Sequence, residues 1–466
     1  MSRLKAHAEW AVFLVLALLA ISPAFKSGHV VGDGVDLYGT LWFYWWIEDC
    51  LFALRDPGFT THFFFPLGKD IFAHTGNNFV DAVVALPFMW LFGNPGYQRW
   101  YVLAVLLANV ASFRVLARGL FTDRAVVFAS SLAYAVSPYI LFEITAGRLT
   151  QAFLVFSPLA LHHLLKTESS SSWKHPVLAG LFTALQGWTY WFMGWFLAFA
   201  FVPLGIAALA RSKDRKRLLL RYLVAGGTCL VAVAPAAIAI AAAASSGEVP
   251  GLNQNEVDLF SSPDMLQNNV GTALHGLVMF EQNGPPMLVS WVWLPVTLAS
   301  MVAAPRFRAA FVVVLLMSLG PVFFSPWTEG NFVLPWYMAA YHYLPYFDRL
   351  WFPYRMLSVL FLLVCVAFGY LAQLLWRRRP NAVWVGLAVL VLGTIAEQNR
   401  WRILPFVTRD ATLPRVMEQV RDEGGYLIHL PLGVNQPSII WQTFHEQPMF
   451  GGMGENAPLL QPEGFR

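Results

Sequence analysis

Two aspartates three residues apart, Asp33 and Asp36, lie in the stretch VVGDGVDLYGTLWFYWWIED, which covers residues 30–49. A carboxylate in such a position can take a proton from an attacking hydroxyl, and two carboxylates can also share a cation. Aspartate next to glycine is also common in turns and at helix N-caps, so Asp36 could instead cap a helix that begins at Leu37. The residues alone leave these alternatives open.

The segment that follows the two acids is predicted to be a helix over residues 37–54. Apolar and aromatic residues dominate all its faces, and it contains Trp42, Trp45 and Trp46. Tryptophan prefers the headgroup layer of a membrane, where its ring is half buried and its N–H stays hydrated. The sequence therefore favours an interfacial helix on the outer leaflet, with the acids at the boundary between water and lipid.

The composition is typical of a membrane protein. The chain of 466 residues is 57% hydrophobic and 12% charged, whereas soluble domains carry about 25% charged residues. Apolar stretches of membrane-spanning length recur as far as residue 397. The three cysteines cannot form a disulfide framework, and no zinc or iron–sulfur spacing is present. The predicted fold class is an all-α polytopic membrane protein.

Basic clusters set the expected topology, because Lys and Arg near helix ends resist translocation. Their alternation with apolar segments predicts about eleven transmembrane helices, with the N-terminus inside and the C-terminus outside. The expected spans are residues 9–25, 97–118, 124–142, 150–166, 175–189, 191–210, 219–243, 288–304, 308–325, 354–376 and 381–397. The apolar stretch 79–95 would invert the later basic clusters if it crossed the membrane, so it is predicted to be re-entrant or interfacial.

The predicted organisation is a transmembrane domain, residues 1–397, followed by an extracytoplasmic segment, residues 398–466. The outer loop 26–96 of the first domain is expected to carry the site. The tail is predicted to form a helix, a Gly-Gly turn and a short strand, as in small α/β segments. It stops without completing an obvious domain, so either the sequence is a fragment or the tail packs against the membrane part. The short cytoplasmic connections contain neither a Walker loop nor a Rossmann glycine pattern, which indicates chemistry at the outer face.

Four blocks, in order along nearly the whole chain, resemble the bacterial GT-C-fold membrane glycosyltransferases, including YfhO-like proteins. The first outer loop has the patterns G-D-x-x-D and W-x-x-W-W, then FFFPLGKD and NNFVDAVVALP. The other blocks are YAVSPYILFEITAGRLTQAFLVFSPLAL, YLPYFDRLWFPYRM, and GGYLIHLPLG with QTFHEQPMFGG. The chain departs from the family pattern at Arg148, where histidine is common, and in the extra aromatic residues between Arg349 and Arg355.

The resemblance implies an inverting transferase that takes sugar from a polyprenyl-phosphate donor and passes it to a lipid, glycan or protein acceptor. It would lie among the lipids of the cytoplasmic (inner) membrane, with its site facing the periplasm or exterior and no nucleic-acid partner. A first-loop acid is the expected base of the family. Carried over to this chain, the candidates are Asp33 and Asp36, and the sequence cannot choose between them.

The leaving phosphate needs fixed positive charge, for which the planar fork of arginine is suited. The candidates are arginines that the predicted topology puts at the outer face. Together with the other substrate-binding candidates they are Arg148, Arg349, Arg355, Gln151, Trp42, His62 and His74.

Other acidic residues have weaker assignments. Asp81 is predicted to cap the apolar helix that it opens, and Glu143 is an outer-face acid that could touch the acceptor or a metal. No metal site is predicted. A divalent cation held by Asp33, Asp36 and an outer glutamate nevertheless stays open, because two carboxylates three apart are a weak metal signature.

Two other functions remain as alternatives. A transporter of lipid-linked glycans would be expected to have charges inside its spans or symmetric broken helices, and the sequence shows few such charges and no repeat. A non-catalytic membrane scaffold of the same fold is the second alternative. The departure at Arg148 and the unfinished tail leave it open.

Overall fold

The computed structural model describes most of the chain. The described residues are 2–34, 36–71, 78–245, 287–288, 290–324, 331–350, 352–430, 436–452 and 461–465. The substrate-binding candidate His74 lies outside them, so its contacts stay a prediction.

Helices make up most of the structure. In chain order they are α1 (Ser2–Ile21), α2 (Leu37–Ala53), α3 (Phe79–Phe92), α4 (Tyr97–Leu120), α5 (Arg124–Ala135), α6 (Pro138–Thr145), α7 (Leu149–Ala152), α8 (Phe156–Ser169), α9 (Lys174–Thr189), α10 (Phe192–Arg211), α11 (Arg215–Ser245), α12 (Trp293–Ala303), α13 (Arg308–Ser318), α14 (Pro335–Tyr343), α15 (Leu357–Arg378), α16 (Pro380–Arg400), α17 (Val416–Glu423) and α18 (Gln436–His445).

Seven helical segments of the described chain are long and apolar enough to cross a membrane. They are His7–Phe25, Tyr97–Leu120, Arg124–Thr145, Phe192–Arg211, Arg215–Ala242, Pro353–Arg378 and Pro380–Arg400. An eighth is obtained if Trp293–Ala303 and Pro305–Ser318, which are bent by 102° at their junction, count as one broken span. The predicted class of a polytopic, all-helical membrane protein is confirmed.

The number of membrane-length helices is lower than the expected eleven because apolar runs do not reveal where a helix breaks. The predicted spans 150–166 and 175–189 correspond to α8 and α9, which have 14 and 16 residues. A helix needs about 20 residues to cross the hydrocarbon core. Helix α3, predicted to be re-entrant or interfacial, has 14 residues and a length of about 21 Å, which is too short to cross.

Ion pairs gather the basic ends of several helices at one face. Glu9 near the start of α1 pairs with Arg114 at 2.6 Å and with Arg124 at 2.5 Å. Arg306, at the bend between α12 and α13, pairs with Glu168 near the end of α8 at 2.6 Å. This grouping agrees with the expectation that the basic clusters share one side of the membrane.

Helix α15 lies at the centre of the bundle. Every residue from Leu357 to Gly369 is buried, and the helix packs against α5, α12, α13 and α16. A helix that is apolar on all faces is stable only when it is surrounded, and here the neighbouring helices surround it. Its first turn is therefore held firmly, and the short 3-10 turn Pro353–Met356 that precedes it carries Arg355.

In the described part of the chain, six short strands pair in three antiparallel ribbons: β1 (His29–Val31) with β6 (Thr408–Asp410), β2 (Phe59–Thr60) with β3 (Lys69–Asp70), and β4 (Val322–Phe324) with β5 (Asn331–Val333). The β1–β6 ribbon joins the first loop to the segment that follows the last membrane helix. In its register His29 faces Asp410 and Val31 faces Thr408.

The tail packs on the first loop. As predicted, it contains a helix, α17, followed by Gly424 and Gly425, which both have positive φ angles. The expected strand is reduced to a single bridge between Leu427 and Met449. The amide of Met449 donates to the carbonyl of His62 at 2.9 Å, so the tail and loop share a backbone contact. The division into domains at residue 397 stays a prediction.

The tryptophans of α2 do not lie in a headgroup layer. Trp42 and Trp46 are buried, Trp45 nearly so, and the indole Nε1 of Trp42 donates to Gln442 Oε1 at 2.7 Å. The prediction that they anchor the helix in the leaflet is wrong, because hydropathy cannot separate side chains that face lipid from those that face protein. The loop's exposed apolar side chains lie at the end of α2 and along α3, and include Phe52, Leu54, Trp90 and Leu91.

Candidate active site

A glycine-rich turn places the first-loop acids. The amide of Gly32 donates to the carbonyl of Val407 at 2.8 Å, and the amide of Asp33 donates to that of Thr145 at 2.7 Å. A methyl group added to Gly34 would lie 2.0 Å from the carbonyl oxygen of Ala146. The turn therefore lies directly against the connection between α6 and α7. Such a close approach requires glycine at position 34, because any side chain would collide with Ala146.

The same connection contains Gly147, which has a φ of +75°. A Cβ there would lie 2.5 Å from the Cβ of Leu37, the first residue of α2. This backbone contact brings the start of α2 against the start of α7. Asp36 and Arg148, each adjacent to one of the touching residues, are consequently neighbours.

The structure separates the two aspartates. Asp33 forms an exposed ion pair with Arg409, which belongs to β6. Asp36 occupies the N-cap position of α2, but its side chain makes no capping hydrogen bond. Its Oδ2 lies 3.6 Å from Nη1 of Arg148, and the side chain is 49% exposed. Asp36 therefore presents a half-exposed carboxylate beside a cation whose side chain is only 14% exposed.

Arg148 is held by three groups. Its Nε donates to Glu143 Oε2 at 2.5 Å, its Nη2 donates to the hydroxyl of Tyr354 at 2.9 Å, and its Nη1 faces Asp36. Glu143 lies on α6 and is completely buried. The other polar side chains of this helix are those of Tyr139 and Thr145. The guanidinium is thus fixed between a buried carboxylate and the half-exposed one.

Arg355 supplies a second buried guanidinium at the same place. Its Nη1 donates to the hydroxyl of Tyr190 at 2.5 Å, and its guanidinium carbon lies 4.8 Å from the ring centre of Phe352. Tyr354, which accepts a hydrogen bond from Arg148, is the residue before Arg355. A planar cation between aromatic rings is a geometry that arginine favours and lysine does not reproduce.

Arg349, the third predicted arginine, lies on the 3-10 turn Phe347–Arg349 and is half buried. Burial lowers the pKa of Arg349, and the carboxylates of Asp348 and Asp70 oppose that effect. Asp70 belongs to β3 of the first loop. The structure brings Asp36 and Arg148 together, with Arg355 next to the tyrosine that binds Arg148.

The remaining candidates divide between two regions. Gln151 is buried on α7, and its backbone N–H donates to the backbone carbonyl of Arg148 at 3.0 Å. Trp42 and His62 instead contact the tail: the carbonyl of His62 accepts a hydrogen bond from Gln442 Nε2 at 2.8 Å. Burial lowers the pKa of His62, which packs against Trp45 and Trp46. Contact of these three candidates with a substrate stays a prediction.

Asp81 is not the cap that the sequence suggested. The N-cap of α3 is Asn78, and Asp81 lies in the first turn with its side chain completely buried. Its Oδ2 accepts a hydrogen bond from Tyr44 at 2.8 Å, and its carbonyl accepts one from Tyr101 at 2.7 Å. Burial raises the pKa of Asp81 to about 7, although the hydrogen bond from Tyr44 opposes this effect. Asp81 thus joins α2, α3 and α4.

This pKa predicts a pH-dependent stability. The folded protein holds the Asp81 proton more tightly than the unfolded chain, whose carboxyl has a pKa near 3.8. The stabilisation is fully present below about pH 4 and is lost as the pH rises to about 7. An Asp81→Asn variant keeps an oxygen for Tyr44 and never ionises. We expect its melting temperature to exceed that of the wild type more at pH 8 than at pH 5, because the wild type loses on the order of 3 kcal/mol of stability between these pH values.

The measurement is thermal unfolding in detergent at both pH values. Asp422→Asn, which changes an exposed carboxylate on α17, is the matched control and should leave the melting temperature unchanged at either pH. An equal effect of Asp81→Asn at pH 5 and pH 8 would contradict the prediction.

Some site residues carry no sequence signal. Tyr190 and Tyr354 are unremarkable tyrosines in an aromatic-rich chain, and only their hydrogen bonds to arginine identify them. Within the described ranges, no group of three or more His, Cys, Asp and Glu side chains could hold a metal ion. The chemistry available at the site is that of one half-exposed carboxylate beside Arg148, which binds Tyr354, with the Arg355–Tyr190 pair next along the chain from Tyr354.

The cluster lies opposite the basic ends of the bundle. The span Arg124–Thr145 begins beside Glu9 and ends three residues before Arg148. The span Pro353–Arg378 begins at Arg355's turn and ends in two arginines. Both spans therefore run between the basic face and the candidate active site.

Solved structures share this architecture. The chain matches the archaeal oligosaccharyltransferase AglB from Archaeoglobus fulgidus with a TM-score of 0.54 and 13% identity, over 97% of this chain and 65% of that one. It matches the arabinofuranosyltransferase AftD from Mycobacteria with a TM-score of 0.55 and 15% identity, over 92% and 30% of the two chains. It matches ArnT from Cupriavidus metallidurans with a TM-score of 0.53 and 14% identity, over 95% and 86%.

These three neighbours are GT-C-fold membrane glycosyltransferases, so the fold that the sequence resemblance implied is confirmed. Identities this low establish the fold alone. The chain spans 65% of the length of AglB. No protein-family model and no curated protein sequence matches the chain.

Proposed function

We propose that the chain is a membrane glycosyltransferase that moves a sugar from a polyprenyl-phosphate donor to a hydroxyl or amide acceptor on a lipid, glycan or protein. The observation that carries the proposal is the half-exposed carboxylate of Asp36 beside the largely covered guanidinium of Arg148, with the buried Arg355 next to Tyr354, the hydrogen-bond partner of Arg148. The GT-C fold supports the reaction class. The AglB structure contains a dolichol-phosphate, which supports a lipid-phosphate donor.

In the proposed reaction Asp36 is the base. Its carboxylate takes the proton of the acceptor as the acceptor atom attacks the anomeric carbon of the sugar. The bond from that carbon to the phosphate oxygen breaks, and the phosphate leaves with the electron pair. A single displacement of this kind inverts the anomeric carbon.

Arg355 is assigned to the leaving phosphate, with Arg349 as a second contact to the lipid phosphate. A fixed guanidinium in a water-poor site stabilises charge that develops on the leaving oxygens. Asp33 has its own partner, Arg409, and is assigned to hold the loop. The basic ends of the bundle would face the cytoplasm, which directs the site to the periplasm or exterior of the inner membrane.

The test is a transfer assay in lipid nanodiscs with a panel of radiolabelled polyprenyl-phosphate sugars. Release of free polyprenyl phosphate by the wild type, and not by the Asp33→Asn, Asp36→Asn double variant, is the expected result. Donor binding without turnover in both proteins would contradict the enzyme and support a scaffold or transporter.

The glycine contact provides a separate prediction. Gly147→Ala adds a methyl group against Leu37 at a φ of +75°, so α2 must move away from α7. Displacement of a catalytic group by about 1 Å can cost about 10²-fold in rate, and we expect a loss of that order in transfer. The readout is the initial rate per folded molecule. Gly226→Ala on α11, where an added Cβ meets nothing within 4 Å, is the control and should transfer normally.

A further inference from the structure

Glu143 is a buried carboxylate that the proposed reaction does not use. Its side chain has no exposed surface, so it cannot reach an acceptor or a donor in this arrangement. Its Oε2 accepts the hydrogen bond from Arg148 Nε at 2.5 Å. A buried charge is costly unless a partner neutralises it, and Arg148 is that partner.

The contacts of Arg148 define what Glu143 does. Nε is bound to Glu143 and Nη2 to Tyr354, which leaves Nη1 for Asp36. Nε and Nη2 form the edge of the guanidinium that could bind a phosphate through two parallel hydrogen bonds, and both atoms already have partners. The 3.6 Å separation from Asp36 is longer than a hydrogen bond, so the guanidinium is drawn more strongly to Glu143 than to Asp36.

We propose that Glu143 is a positioning residue that acts through Arg148 to keep the Asp36 carboxylate oriented but only loosely paired. The inference rests on the proposed function, in which Asp36 is the base. A base that is fully paired with arginine binds a proton poorly, and one with no cation beside it is free to turn away. Because Glu143 competes with Asp36 for the guanidinium of Arg148, it keeps the pairing of Asp36 with Arg148 between these two extremes.

Neutralising Glu143 should therefore impair chemistry more than binding. In Glu143→Gln the guanidinium shifts toward Asp36, because its competing anion is gone. We expect kcat to fall at least about tenfold, the KM for the donor to stay within about threefold, and the acidic limb of the pH–rate profile to move to lower pH. Glu143→Asp keeps the charge with a shorter reach and should restore part of kcat and the wild-type pH profile.

A double-variant comparison separates this role from a direct one. If Glu143 acts only through Arg148, adding Glu143→Gln to Arg148→Met should change kcat by less than about twofold. Independent effects that multiply would overturn the inference. Melting temperatures and size-exclusion profiles of every variant identify the folded fraction, and Glu423→Gln, an exposed change on α17, serves as the unaffected control.

The outcomes distinguish the two proposals. A wild type that turns over donor, with a Glu143→Gln variant of unchanged kcat and pH profile, would reject the positioning role and leave the glycosyltransferase intact. A Glu143→Gln variant whose only change is a lower melting temperature would also reject the positioning role, because that is the effect expected of a carboxylate with a purely structural role. A wild type without turnover would reject both proposals.

Discussion

Replacing Asp36 by asparagine is expected to lower kcat by about 10²- to 10⁴-fold, the range that a general base contributes. Asparagine has nearly the same shape and still faces Arg148, but it cannot take a proton. The half-exposed carboxylate lies where an acceptor can approach it, and the guanidinium of Arg148 lies 3.6 Å away. Initial rates of polyprenyl phosphate release, with purified protein in nanodiscs, measure the loss.

Asp33→Asn is the matched control for this experiment. Asp33 and Arg409 form an exposed ion pair, and such pairs contribute about 0–1 kcal/mol to stability. We therefore expect its transfer rate to stay within about fivefold of the wild type. The opposite pattern, an inactive Asp33→Asn and an active Asp36→Asn, would move the base to Asp33 and reject the assignment.

Replacing Arg355 by glutamine is expected to lower kcat/KM by about 10²- to 10³-fold, the effect of removing one preorganised electrostatic group. The loss should include weaker binding of the product polyprenyl phosphate, because in the proposed reaction the same guanidinium would face the phosphate before and after transfer. Arg355→Lys keeps the charge but loses the planar fork between Tyr190 and Phe352, so a smaller loss is expected.

A control is needed because Arg355 is buried, and its loss leaves the hydroxyl of Tyr190 without this donor. Arg221 is also buried, but it donates to the backbone carbonyls of Ser170 and Ser172 at the basic face. Arg221→Gln should lower the melting temperature while leaving phosphate binding unchanged. Equal phosphate affinity in Arg355→Gln and the wild type would contradict the assignment of Arg355.

The sequence predicted the elements better than their contacts. The helix expected over residues 37–54 is α2, and the Gly-Gly turn of the tail is present. Hydropathy and charge clusters determine such local features, since each depends on neighbours in the chain. Arg349 and Arg355 could likewise be named from one block and Arg148 from another, and their contact with a donor stays a prediction.

The choice between Asp33 and Asp36 could not be made from local sequence. It depends on Arg409, 376 positions from Asp33, and on Arg148, which reaches Asp36 only because Gly147 allows α2 to approach. The prediction that the tryptophans anchor α2 in the leaflet was wrong for a related reason. Their type indicates an interface, but whether the neighbour is lipid or Gln442 depends on where the tail folds.

The β1–β6 ribbon has a consequence for how the protein is made. His29 and Thr408, whose side chains hydrogen bond at 3.1 Å, are 379 positions apart, so the acid loop leaves the ribosome among the first segments and meets its partner strand among the last. Until β6 has been synthesised, Gly32 lacks its partner Val407 and Asp33 lacks its partner Arg409. The order that these two contacts give the acid loop therefore arises only after helix α16 has been made, whereas the contact of Asp33 with Thr145 is available earlier.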